Sequence, residues 1–346
     1  SNPSSPVVVG SLNDATNLNG PRALFVSGRY AYVVSATGNS LTVVDVSNPS
    51  SPVFKGSVSD GTTLNSPFGV FVSGRYAYVT VFTGNRLTVV DVSNPSSPVV
   101  VGSLNDATNL ASPRGIFVSG RYAYVTLNNV LTVVDVSNPS NPVVAGTIND
   151  TTNLSGARGI FVSGRYAYVA ASSRFSVFDV NNAFSSKLRF VGTVSDSVNL
   201  KNATAVFISG RYAYVSGTDS NRLAVVDISN PSSPVVTGAV VSTTDLNVST
   251  NGTQNIFVSG SYAYVAAGNA GTTDKLTIVD LQGSDLSSVS AGSVSAGSVQ
   301  VADLLDVGNH ANVRGGLNVG PGGIYSQGSL SVFDTNSGAA TSVFAV

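Results

Sequence analysis

The phrase Ser-Gly-Arg-Tyr-Ala-Tyr-Val, or a close variant, occurs six times in this chain, beginning at Ser27, Ser73, Ser119, Ser163, Ser209 and Ser259. The steps between copies are 46, 46, 44, 46 and 50 residues. A second phrase follows each copy, Leu-Thr-Val-Val-Asp-Val-Ser-Asn-Pro-Ser-Ser-Pro-Val in its fullest form, with its aspartate at Asp45, Asp91, Asp135, Asp179, Asp227 and Asp280. A period of roughly 40–50 residues built only from strand and turn residues specifies a radial array of small sheets. Composition agrees. Only 10% of residues are charged, and all 18 acidic residues are Asp, so the strong helix former Glu is missing altogether.

The second unit shows how one sheet is written. Residues 67–73 form a short strand that ends at the turn Gly74-Arg75, and residues 76–80 run back antiparallel to it. Gly in a two-residue connection is ordinary hairpin chemistry. Thr83-Gly84-Asn85 makes the next turn and residues 87–92 the third strand. Asn94-Pro95-Ser96-Ser97-Pro98 then breaks the ladder, because Pro has no N–H to give, and residues 99–104 supply a fourth strand. The apolar runs are continuous, as expected of sheets covered on both faces. At the chain ends, residues 1–10 read as the turn and fourth strand of a unit without its first three, while the sixth unit loses the pattern after its third strand, at Gln282-Gly283. The reading is all-β: a six-bladed β-propeller of four-stranded antiparallel blades, with the N-terminal strand completing the last blade, plus a short β-rich C-terminal segment.

These residues resemble the LVIVD-repeat family of bacterial and archaeal proteins, whose name describes the third-strand motif present here as Leu-Thr-Val-Val-Asp. The motif, the Asn-Pro-x-x-Pro turn after it and the spacing all recur. The fourth unit departs, since Asp179-Val180-Asn181-Asn182-Ala183-Phe184 lacks the prolines, and the sixth ends in a degenerate turn. The resemblance implies a propeller on a secreted or cell-surface protein and implies no reaction.

Two regions follow, a propeller over residues 1–283 and a Gly/Ser-rich tail over 284–346. In the tail Val-Ser-Ala-Gly-Ser repeats from Val289 and Val294, and Leu317, Val319, Ile324, Leu330 and Val332 mark apolar alternation broken by glycine. Such a pattern predicts short strands. It is similar to the glycine-rich β-stalks of fibres and adhesins, which implies assembly or attachment.

Several chemistries lack their residues. With no Cys there is no disulfide, thiolate metal site or Cys nucleophile. His310 is the single histidine, so a histidine metal cluster is impossible and a Ser-His-Asp triad would rest on that one residue. The net charge of −1 without a basic run offers nothing to nucleic acid, and no apolar stretch approaches the ~20 residues of a membrane span. Position 1 is Ser and the chain has no Met, which points to a processed chain with a secretory leader removed. A surface of Ser, Thr, Asn and Gly suits an extracellular or cell-surface setting. The expectation is therefore that the protein is not an enzyme and has no cofactor.

Candidate sites fall into three groups. Asp14, Asp60, Asp106, Asp150 and Asp196 recur in the loop after each fourth strand, most often as Asn-Asp-x-Thr-Asn-Leu. A ring of such loops could offer oxygens to a hard cation such as Ca²⁺; the alternative, favoured by its presence in nearly every unit, is that each carboxylate caps its own turn. Arg22, Arg114 and Arg158 open the first strand in only three units, so they vary where the scaffold repeats and are candidates for a ligand site at the channel mouth. By contrast Arg29, Arg75, Arg121, Arg165 and Arg211 recur with the third-strand aspartates and read as pairing between turn and blade. Asn149, Asn153, Asn202, Asn247 and Asn251 lie in glycosylation sequons. The function these features suggest is a non-enzymatic extracellular structural protein whose partners are copies of itself, assembling into a fibre or surface layer through its terminal β segments. The alternative is an adhesin or lectin-like propeller, with glycans as partners, on a trimeric β-stalk.

Overall fold

A computed structural model describes residues 8–181, 188–218, 221–243, 245–246, 255–267 and 275–281. All of them lie in the first of the two units into which the chain divides, Ser1–Asp285. The elements they form are strands. Blade 1 is β1 (Pro21–Ser27), β2 (Tyr30–Ser35), β3 (Ser40–Asp45) and β4 (Val53–Ser59). Blade 2 is β5 (Pro67–Ser73), β6 (Tyr76–Val81), β7 (Arg86–Asp91) and β8 (Val99–Asn105). Blade 3 is β9 (Ile116–Ser119), β10 (Tyr122–Leu127), β11 (Val130–Asp135) and β12 (Val143–Asn149). Blade 4 is β13 (Ala157–Ser163), β14 (Tyr166–Ala171), β15 (Arg174–Asp179) and β16 (Arg189–Ser195). Blade 5 is β17 (Ala203–Ser209), β18 (Tyr212–Gly217), β19 (Arg222–Asp227) and β20 (Val235–Val241). Blade 6 shows β21 (Asn255–Ser259), β22 (Tyr262–Ala267) and β23 (Lys275–Asp280).

Each sheet is an antiparallel meander in sequence order, and together they make a six-bladed β-propeller. The turn between first and second strands, Gly-Arg in blades 1–5 and Gly260-Ser261 in blade 6, holds its glycine at φ 57–59° in all six, with open space where a Cβ would stand. Glycine is needed there for the left-handed backbone, not for room. No helix among the described residues is long and apolar enough to cross a membrane.

The core lies between blades. Tyr78, Leu87 and Val89 of blade 2 pack on Leu110, Val118, Ala123 and Val125 on the leading side of blade 3, and the same contact recurs around the array. Leu64, Leu110, Leu154 and Leu200, which end Asp-x-x-x-Leu loops, and Leu246, which ends the corresponding Ser242–Leu246 loop, are at most 1% exposed, so these loops plug the gaps between neighbouring blades. A hydroxyl on the third strand pins that loop: Thr42 donates to the Asn17 carbonyl, Thr132 to Asn109 and Ser176 to Asn153.

First-strand phenylalanines touch in succession from blade to blade, Phe25, Phe71, Phe117, Phe161, Phe207 and Phe257, in tilted to edge-on pairs at centroid distances of 4.6–5.2 Å. Between blades 6 and 1 the pattern stops. Leu24 and Val26 on β1 are 57% and 53% exposed, whereas Val70 and Val72 at the same places on β5 are 7% and 6%. Phe257 and Leu276 on the blade 6 side are both 59% exposed. Of the N-terminal strand expected to complete blade 6, residues 1–7 lie outside the described residues, and Val8, Val9 and Gly10 carry no strand. Gly10 nevertheless lies against the backbone of Pro49 and Ser50 as the fourth-strand Gly56 lies against Pro95 and Ser96. The segment thus sits where the outer strand of the blade before blade 1 belongs.

Candidate functional site

A cavity of about 400 Å³ opens on the axis and is lined by residues from all six blades. Arg22, Arg114 and Arg158 all line it, so the structure brings together the three arginines that vary while the scaffold repeats. The backbones of Arg114 and Arg158 are held from the preceding blade. The Thr80 hydroxyl donates to the Arg114 carbonyl at 2.8 Å, and the Thr126 hydroxyl donates to the Arg158 carbonyl. Gly69 and Gly115 let those carbonyls approach, because a Cβ at either position would collide with Arg114 or Arg158 backbone oxygen. Two side chains are further oriented by aromatic rings: Arg22 lies 4.1 Å from the Phe68 centroid, and Arg114 lies 5.7 Å from that of Phe82. Phe68 and Phe82 stack on one another at 5.8 Å, so two cations flank one aromatic pair.

The remaining arginine class behaves differently. Arg29 donates to Asp45 at 2.6 Å, and Arg75, Arg121, Arg165 and Arg211 pair in the same way with Asp91, Asp135, Asp179 and Asp227. The same carboxylates cap the following turn, as where Asp45 accepts the Ser47 N–H and hydroxyl. The Arg75 hydrogen bond, then those of Ser93, hold Asp91 down to about 2; Arg211 and Ser229 do likewise for Asp227. Among the described residues Arg22, Arg114 and Arg158 have no carboxylate partner. Desolvation first, and the like charge of Arg158 second, lower the proton affinity of both Arg22 and Arg114.

The loop aspartates are occupied within their own turns. Asp14 accepts the Thr16 and Asn17 N–H groups and the Asn17 side-chain amide; Asp106, Asp150 and Asp196 repeat this with Asn109, Asn153 and Asn199. Asp60 uses the Thr63 hydroxyl instead. Among the described residues no three His, Cys, Asp or Glu side chains are grouped to hold a metal. Of the sequon residues, Asn149 is exposed at the end of β12, Asn153 donates its amide to Asp150, and Asn202 sits at φ 48° in an exposed turn. Asn247, Asn251, His310 and the tail lie outside the described residues.

Phe82 and the threonines Thr80 and Thr126 were not singled out from the sequence. Phe82 lies beyond the second strand, 14 residues from Phe68, and only the fold reveals their stacking.

The LVIVD-repeat family model matches residues 22–60, 68–106, 112–150, 156–196, 201–242 and 252–294. The chain belongs to the LVIVD-repeat family. Each match contains one blade's motif, and the Leu-Thr-Val-Val-Asp strand is the one whose hydroxyl pins the loop and whose carboxylate pairs the turn arginine. None of the curated proteins matches the sequence. Among solved structures, a Lactobacillus plantarum protein aligns over 75% of this chain and 84% of its own at 15% identity and TM-score 0.56. The Pseudomonas aeruginosa periplasmic gluconolactonase aligns over 64% and 69% at 21% identity and TM-score 0.52. The computationally designed protein Ika8 aligns over 75% and 71% at 11% identity and TM-score 0.52. At these identities the likeness is one of fold alone.

Proposed function

We propose that this LVIVD propeller is a non-enzymatic extracellular structural protein that assembles with copies of itself. The observation that carries the reading is the seam between blades 6 and 1. Leu24, Val26, Phe257 and Leu276 expose apolar surface there, although their equivalents at the other interblade contacts are covered. Among the described residues β23 is the last strand of a three-stranded blade 6, and residues 8–10, which hold the outer-strand place against blade 1, carry no strand. A strand edge beside exposed apolar side chains is a template for strand addition. The occupant on this reading is a second copy, whose terminal β segment adds to the edge. A contact of that kind is head-to-tail and propagates into a fibre or layer.

The gluconolactonase name belongs to the Pseudomonas protein. Here the described residues that line the axial cavity are arginines, apolar side chains, Thr204, Asn255 and backbone, with no carboxylate or imidazole among them, which supports a role other than hydrolysis. A second reading, an adhesin or lectin-like propeller, is favoured by the three uncompensated arginines at the channel mouth.

The test of the leading reading is light scattering and electron microscopy of the full chain, alone and with Leu24→Lys or Phe257→Lys. Both side chains are exposed, so the variants should fold. Wild-type filaments or oligomers that become monomers in the variants are expected. A wild-type protein that stays monomeric at high micromolar concentration would sink the assembly reading.

A further inference from the structure

We infer that the channel mouth is a binding site for a small organic oxyanion, with Arg22, Arg114 and Arg158 as its ligating side chains. The inference develops the binding alternative above and is independent of self-assembly. Three positive charges converge on one cavity without a carboxylate to neutralise them among the described residues, whereas the turn arginines Arg29, Arg75, Arg121, Arg165 and Arg211 are each paired inside their own blade. Holding like charges together costs free energy that a ligand of opposite sign recovers.

The site is built rather than incidental. Phe68 and Phe82 stack against Arg22 and Arg114, Thr80 and Thr126 fix the backbones of Arg114 and Arg158, and glycines at 69 and 115 admit those backbones. Such supports hold guanidinium groups ready for bidentate recognition of carboxylate or phosphate oxygens. Beside the arginines the wall includes the apolar Val70, Ile116, Ile160 and Val206. Charged and apolar lining together suit a ligand with an oxyanion head and a compact carbon body. The volume of about 400 Å³ lies in the range of small-molecule sites and admits one sugar ring or a short polycarboxylate, not a folded partner. Arg114 and Arg158 also line a smaller polar recess with Ser172, Asn202 and Thr218, which places hydroxyl and amide groups beside the second and third guanidinium.

Carboxylate and phosphate share this chemistry, and the experiment separates them. Isothermal titration calorimetry of the full chain uses citrate in one arm, glucose 6-phosphate in another and glucose as the neutral control. Variants are Arg114→Gln, Arg158→Gln and, as a charge-matched control, Arg29→Gln, which lies in a turn at the other end of its blade. Binding of citrate or glucose 6-phosphate but not glucose is expected, weakened roughly tenfold or more by each channel variant, since charge-assisted hydrogen bonds are lost. The Arg29→Gln control should bind as wild type does. Whichever anion binds more tightly identifies the head group. Failure of both anions to bind overturns the site, as does equal binding by Arg114→Gln and Arg158→Gln when their circular dichroism matches wild type. A monomeric protein that binds anions would refute assembly while leaving this inference standing, and a filament that binds neither would do the reverse.

Discussion

Leu18 and Leu110 close the same hexapeptide, Asn-Asp-Ala-Thr-Asn-Leu, at residues 13–18 and 105–110. Their local sequences are identical, and so are their turn bonds, with Asp14 and Asp106 each capping the asparagine three residues on. What differs is the neighbour. Leu110 is 0% exposed between blades 2 and 3, whereas Leu18, on the open side of blade 1, is only half-buried. Truncation to alanine therefore removes the same atoms from different surroundings. For Leu110, which leaves a cavity between two packed sheets, the cost is about 2–5 kcal/mol. For Leu18, already partly hydrated and with no blade in front of it, about 1–2 kcal/mol is expected from the smaller apolar area withdrawn from water. Because the hexapeptides match, denatured-state effects largely cancel in the comparison. Urea unfolding followed by tyrosine fluorescence suits the purpose, since the chain has 13 Tyr and no Trp. A Leu18→Ala variant as destabilised as Leu110→Ala would refute the reasoning, for it would mean that a blade covers Leu18 and the seam is closed.

Acidification should weaken the fold in a defined window. Ten aspartates, two in each of blades 1–5 and their loops, are held below the usual carboxylate range. A carboxylate depressed on folding stabilises the native state above its unfolded value, near 4, and loses that contribution as pH falls through the folded value, about 2 for Asp91 and Asp227. The melting temperature should thus be flat from pH 8 to 5 and drop between pH 4 and 2; no drop in that interval would contradict the turn bonds. Thr132→Val removes a fully buried hydroxyl that donates to the Asn109 carbonyl, so a loss of about 1–3 kcal/mol in urea unfolding is expected from the unpaired acceptor. A change under about 0.5 kcal/mol would mean that water replaces the bond.

The blades were legible because their information is local. Gly74-Arg75, Thr83-Gly84-Asn85 and Asn94-Pro95 each state a turn through backbone preference alone, and the strands between them follow. Pairing of Arg75 with Asp91 was legible too, since the arginine recurs in five of the six first turns and the aspartate ends every third strand. The buried leucines were not: Leu110 reads as a loop residue until the next blade is present to cover it. Nor was the seam. Leu24-Phe25-Val26 and Val70-Phe71-Val72 share one apolar pattern, yet one is exposed and the other buried, because exposure depends on the preceding blade and not on the strand itself.

The contrast between the two arginine classes bears on where activity resides in a repeat protein. A residue copied from blade to blade meets the same partners each time, so Arg29 and its equivalents in blades 2–5 each find an aspartate in the same blade and their charge is neutralised there. Arg22, Arg114 and Arg158 break the copying. In blade 2 the corresponding place is Phe68, in blade 5 Thr204 and in blade 6 Gln254. The wall of the channel is thereby made asymmetric, with charge from blades 1, 3 and 4 and an aromatic pair from blade 2 wedged between two of them. A six-fold ring of identical side chains would present a ligand with six equivalent poses, whereas this wall distinguishes one. The surface that discriminates is consequently the part of the sequence that departs from the repeat, and so are its supports: Thr80 and Thr126 stand where other units carry Val34, Ala170, Ser216 and Ala266, and Gly69 and Gly115 stand where blades 1 and 5 carry Ala23 and Ala205.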